Sequence, residues 1–195
     1  NVTRHANIFA ILFSVADEKK QEKILKNVLE NDEIPAITTP YFNFFELDVL
    51  CRMGKLTEVL DKIRSYWGGM LDLGAVTFWE EYDPSVPKEE QYDMYGDHFG
   101  KSLCHAWAAS PIYFLAKYFA GLDLVNKDGV TYILKPQMQY FTELDCTLPV
   151  GSNGVVRLVW DGEILEITPN ADGGILELGE QKLSLVRGET RRVKI

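Results

Sequence analysis

Apolar positions follow two different periods along this chain, and the change of period divides it. Up to about residue 121 they recur at helical spacing. Residues 4–16 hold Ala6, Ile8, Phe9, Ala10, Ile11, Leu12, Phe13 and Val15, apolar nearly all round, as in a helix buried on every side. Asp17 is placed to cap the next helix, which runs to about Glu30 and carries Ile24, Leu25, Val28 and Leu29 on one face. Thr39-Pro40 is a start signal, with Thr39 as cap and Pro40 at the first helical position. The helix that follows, 41–53, is again mostly apolar, and Gly54 ends it. Thr57 opens a fourth helix with Val59, Leu60, Ile63 and Trp67 on one stripe, and Gly68-Gly69 closes it. A fifth, nearly all apolar or small, runs from about Lys101 to Ala120, with Pro111 predicting a kink or break. Buried and amphipathic helices thus alternate. A simple bundle does not need this; a double ring does, with inner helices wrapped by outer ones. Residues 1–121 are read as part of an α/α toroid.

From about Leu122 the period becomes two. Short alternating runs lie at 130–134, 140–148, 155–160, 163–168, 175–178 and 182–186. Turn signals separate them: Asp128-Gly129, Asn153-Gly154, Asp161-Gly162, Asp172-Gly173-Gly174 and Arg187-Gly188. Asp161-Gly162 is the clearest hairpin. About eight strands in residues 122–195 predict an antiparallel β-sandwich. The fold class is therefore α + β and multidomain: partial toroid helices followed by a sandwich.

Between the fourth and fifth helices lies Gly74-Ala75-Val76-Thr77-Phe78-Trp79-Glu80-Glu81-Tyr82-Asp83-Pro84. A carboxylate beside an aromatic ring in an acidic loop suits a sugar-cleaving site, with a ring to stack on the sugar and an acid to move a proton. A solvated acidic loop with a buried Trp is the plainer alternative. In a double ring, the loops entering the inner helices share one end, which brings His5, Glu80 and His105 to one rim. Glu80 suits a general base on water, or a general acid, with Glu81 as its competitor. Trp79 is a stacking platform or a core residue pinning the loop. His105 bonds a sugar hydroxyl or is a satisfied core histidine, and His5 is read as the latter. His98 belongs to a loop.

Composition narrows the ligands. Lys and Arg number 20 against 29 Asp and Glu, a net charge of −9, which argues against nucleic-acid and anionic-membrane partners because phosphate binding needs a basic face. No run is long and apolar enough to span a membrane. Cys51, Cys104 and Cys146 make no metal spacing, so no metal or other cofactor is expected; Cys51 and Cys104 read as buried thiols. The chain begins at Asn1 and enters a helix almost at once, which reads as a piece of a longer polypeptide, and localisation is not legible from this end.

These residues carry a family likeness. Thr77-Phe78-Trp79-Glu80, Tyr95-Gly96-Asp97 and Lys101-Ser102-Leu103-Cys104-His105-Ala106-Trp107-Ala108-Ala109-Ser110-Pro111 resemble the C-terminal part of bacterial α-L-rhamnosidases, glycoside hydrolase family 78. Arg4-His5-Ala6-Asn7 and Tyr41-Phe42-Asn43-Phe44-Phe45-Glu46-Leu47 are similar to the preceding barrel helices. The resemblance implies the end of an (α/α)6 barrel, then a C-terminal β-sandwich, in an inverting hydrolase of terminal α-L-rhamnose. It implies Glu80 as general base, His105 as a rhamnose contact and Trp79 as a supporting residue. The family's general acid lies on an earlier part of the barrel, before Asn1. The expected partners are a rhamnose-containing glycoside or polysaccharide and the remainder of the barrel, without which this piece is inactive and exposes apolar faces. The alternatives are another α/α-toroid glycosidase or a non-catalytic carbohydrate-binding or interaction fragment.

Overall fold

The computed structural model describes residues 2–127, 130–152 and 154–195. The turn signals at Asp128-Gly129 and Asn153 lie outside them. Two compact units divide the chain, Asn1–Pro111 and Ile112–Ile195.

Five helices belong to the first unit: α1 (Arg4–Leu12), α2 (Glu18–Ile24), α3 (Pro40–Arg52), α4 (Leu56–Lys62) and α5 (Gly68–Asp72). A sixth, α6 (Ser110–Phe114), begins at its end. The Asp17 carboxylate caps α2 by accepting from the Lys20 N–H at 2.9 Å. Pro40 starts α3, where its missing N–H costs nothing, and Gly54 leaves that helix at φ +74°. Thr39 is the cap position, although its side chain makes no capping bond. Both α2 and α4 run on as π-helical turns, Leu25–Leu29 and Ile63–Trp67.

Three expectations need correction. α1 buries only the stripe Arg4, Ile8 and Ile11, while Phe13 and Val15 stand in solvent. In this chain it packs on α3 and the end of α2, and these cover one side of it. Second, Gly68-Gly69 does not close the fourth helix, which passes through Trp67 into α5 and stops at Gly74, φ +90°. Gly69 is there because a Cβ would run into the Tyr82 ring. Gly69→Ala is therefore expected to destabilise the unit by about 1–3 kcal/mol, measured as a lowered denaturation midpoint. Third, residues 101–105 are not helical. The backbones of Ser102 and His105 bond those of Glu80 and Phe78, and Lys101 bonds Tyr92; a short 3₁₀ turn covers Ala106–Ala108, and α6 starts only at Ser110, so Pro111 sits in a first turn rather than mid-helix. Cys104 is accordingly exposed, whereas Cys51 is buried as expected.

A buried ion cluster ties this unit together. Glu46 of α3 accepts from Arg4 of α1 at 3.3 Å and from Lys62 of α4 at 2.5 Å. Arg4 also donates to the carbonyls of Leu29, Asn31 and Ile34, which fastens the segment after α2.

Among the described residues the second unit holds eight strands: β1 (Leu122–Lys127), β2 (Val130–Leu134), β3 (Leu144–Pro149), β4 (Val155–Trp160), β5 (Ile164–Pro169), β6 (Gly174–Leu178), β7 (Gln181–Leu185) and β8 (Arg191–Lys194). They form two four-stranded sheets, ordered β1-β2-β6-β7 and β3-β4-β5-β8. Every pairing is antiparallel except β2 with β6, which is parallel, so the expected all-antiparallel sandwich is a largely antiparallel pair of sheets. Alternate residues fill one core, including Tyr132, Leu158, Trp160, Leu165, Ile167 and Leu176. The hairpin at Asp161-Gly162 joins β4 to β5. The Asp161 carboxylate accepts from the N–H groups of Glu163 and Ile164, and Gly162 takes φ +95°. Gly174 leaves the space that the Tyr132 ring fills. The whole is an α + β chain.

Candidate active site

Two extended segments lie side by side in the first unit and build the site. The Glu80 N–H donates to the Ser102 carbonyl at 2.9 Å, and the His105 N–H donates to the Phe78 carbonyl at 2.8 Å. The Thr77 hydroxyl adds a bond to the Leu103 carbonyl. Strand-like pairing, rather than two helix ends meeting at a rim, is what brings Glu80 and His105 together.

Glu80 is buried, and its carboxylate is held at both oxygens. Oε1 accepts from the Tyr95 hydroxyl at 2.9 Å, and Oε2 accepts from the Ser102 N–H at 3.2 Å. The bond to Glu80 holds the proton on Tyr95, whose phenol is pushed above its ordinary range. An ionised carboxylate offers roughly four acceptor sites, so two remain for a water or a substrate hydroxyl. His105 Nδ1 stands 3.9 Å from Oε2, too far for a direct hydrogen bond. One oxygen atom at about 2.8 Å from each would bridge the pair. The arrangement can orient a water, or a sugar hydroxyl, between a carboxylate and an imidazole.

Glu81 is committed elsewhere. In an extended segment successive side chains point apart. Glu81 accepts from the Thr38 hydroxyl at 2.7 Å, and its other oxygen lies 4.0 Å from the buried Lys101 ammonium. Burial pulls the Lys101 ammonium below its ordinary range, opposed first by Glu81. Glu81 is thus tied to Thr38 and Lys101, whereas Glu80 is the carboxylate that faces His105.

Trp79 is only 3% exposed and meets Tyr92 edge-on at 5.6 Å between ring centroids, so it presents no free face for stacking. It pins the loop. An exposed ring beside His105 is Trp107, whose centroid lies 4.0 Å from that of His105 and 5.4 Å from that of Tyr41. Trp107, against His105, and Tyr95, bonded to Glu80, are neighbours of this pair that sequence reasoning passed over as candidates, although both stand in the quoted motifs. The signal was spacing: Trp107 is two positions after His105. His5 packs on Phe42 at 4.1 Å, and His98 is an exposed residue whose Nδ1 lies 2.6 Å from Asp93. No group of metal-ligating side chains occurs among the described residues. A cavity of about 570 Å³ beside Ile37, Thr38, Lys62, Tyr66 and Asp83 does not include Glu80 or His105.

Comparison with solved structures shows a likeness in fold. The chain superposes on the crystal structure of a GH78-family rhamnosidase of Bacillus sp. GL1 with a TM-score of 0.68 and 23% sequence identity, over 91% of this chain and 19% of that one. No protein-family model matches the sequence, and no curated protein matches it. This chain has the fold of about one fifth of a GH78 rhamnosidase's length.

Proposed function

We propose that this chain is the C-terminal segment of the catalytic barrel of an inverting α-L-rhamnosidase together with its C-terminal β domain, and that it supplies the general base. The observation that carries the reading is Glu80: a buried carboxylate with both oxygens held by donors, two acceptor sites left, and His105 3.9 Å away. In an inverting mechanism one carboxylate activates water on the face of the sugar opposite the leaving group, while a carboxylic acid protonates the leaving oxygen. The two stand roughly 6.5–9.5 Å apart. Glu80 takes the first role here. The acid comes from a part of the barrel outside this chain, and α1, α3 and α6 are segments of its helical rings. The rest of the barrel covers the open aromatic surface of Phe9, Phe13, Tyr41 and Trp107. The substrate is a terminal α-L-rhamnose on a glycoside or polysaccharide, with Trp107 as the ring beside it and Trp79 as support for the loop.

The binding-module alternative finds less support among the described residues. Tyr132 and Trp160 are core residues of the second unit, and the indole N–H of Trp160 donates to the Phe141 carbonyl at 3.0 Å.

The test is hydrolysis of an aryl α-L-rhamnoside by the full-length protein, with the anomer released followed by NMR. Release of the inverted sugar supports the reading; a retained anomer, or no turnover of this substrate, overturns it. His105→Ala is expected to raise KM about tenfold with a smaller change in kcat, the loss of one sugar hydrogen bond. Steady-state kinetics with unchanged KM would return His105 to a structural role.

A further inference from the structure

Tyr95 stands on an unusual piece of backbone. Met94 and Asp97 exchange both backbone hydrogen bonds, at 3.0 and 2.9 Å, which closes a two-residue hairpin. Both central residues have positive φ, +56° at Tyr95 and +84° at Gly96. That is the signature of a type I′ turn, in which the first central position ordinarily holds Asn, Asp or Gly. A tyrosine there is strained by its Cβ. The hairpin is seated tightly: a Cβ on Gly100 would collide with the Met94 carbonyl, and the Lys101 N–H donates to the Tyr92 carbonyl at 3.1 Å. The ring of Tyr95 is 81% exposed, so apolar burial does not explain its place. Its hydroxyl, however, reaches Glu80 Oε1 at 2.9 Å. Strained backbone of this kind clusters at sites where the constraint serves the chemistry.

We propose that Tyr95, presented by the Met94–Asp97 hairpin, is the positioning residue of Glu80. It donates to Oε1 and so fixes the carboxylate plane, leaving Oε2, beside His105, as the oxygen that faces water. This rests on the reading of Glu80 as general base. Tyr95 touches the carboxylate and acts through it.

The experiment measures kcat and KM of the full-length protein on an aryl α-L-rhamnoside for the wild type, Tyr95→Phe, Glu80→Gln and the double variant, with thermal midpoints for each. Tyr95→Phe keeps the ring and the turn and removes only the hydroxyl. It is expected to lower kcat about ten- to hundredfold, the effect of one hydrogen bond to a charged group, with KM and midpoint near the wild-type values. In the Glu80→Gln background the same change is expected to add little. An unchanged kcat in Tyr95→Phe, with Glu80→Gln inactive, overturns the positioning role while the base assignment stands. A raised KM with unchanged kcat also overturns it, because Tyr95 would then be binding sugar. Full activity in Glu80→Gln overturns the base assignment itself, and the positioning role with it.

Discussion

Glu80→Gln in the full-length protein is expected to lower turnover of an aryl α-L-rhamnoside by about 10²–10⁴-fold, the usual share of a general acid–base step. The substitution is nearly isosteric. Gln keeps one carbonyl oxygen that can still accept from the Tyr95 hydroxyl, which now lies 2.9 Å from Oε1; its NH2 gives up the bond from the Ser102 N–H, but the backbone bonds of Glu80 to Ser102 and of His105 to Phe78 hold the segment in place. On the proposed reading, what is lost is the group that takes a proton from water. Substrate binding should therefore stay near wild type, and isothermal titration with rhamnose checks that separately from kinetics. Equal activity would move the base elsewhere. Glu81 is poorly placed to inherit the role, because its carboxylate is already committed to Thr38 and Lys101.

Glu46→Ala is expected to cost about 3–5 kcal/mol of stability, the range for breaking a buried ion pair from one side. The Glu46 side chain is 3% exposed and is the counter-charge for two cations on two other helices. Burial already pulls the Lys62 ammonium below its ordinary range, and Glu46 is the main group that opposes the pull. Without it, Arg4 and Lys62 face each other's charge in a poorly solvated space. Arg4 keeps its carbonyl acceptors, so the loss falls on electrostatics and on the junction of α1, α3 and α4. Urea denaturation monitored by tryptophan fluorescence reads the shift in midpoint. Glu46→Gln retains the shape and one acceptor, and should cost less. A midpoint within experimental scatter of the wild type in Glu46→Ala would show that water enters the cluster and solvates both cations.

Much of the fold was legible from local chemistry. Asp17, Thr39-Pro40, Gly54 and Asp161-Gly162 act through their own backbone or that of close neighbours, so their placement follows from sequence. The alternation at 155–160 needs only one wet and one dry sheet face. Errors came where distant partners decide. Gly68-Gly69 looks like a stop, yet the ring of Tyr82 requires Gly69 inside a helix. Residues 101–105 have helical composition, yet Phe78 and Glu80 claim their backbone bonds. The parallel pairing of β2 with β6 joins strands far apart in the chain, which no turn signal announces.

The sequence by itself determined the change from helical to alternating period, the element ends at Asp17, Thr39-Pro40, Gly54 and Asp161-Gly162, and a short list of acids, histidines and aromatics from which a site had to be drawn. Those are consequences of period, capping and charge, all readable over a few residues. Only the tertiary structure decided among the candidates. It buried Trp79, tied Glu81 to Thr38 and Lys101, left Glu80 with His105 and Trp107 nearby, and turned Tyr95 onto the carboxylate. Whether a side chain is open, pinned or paired depends on which distant backbone lies beside it. Here that was the pairing of segments 78–80 and 102–105, a long-range contact that local pattern does not encode.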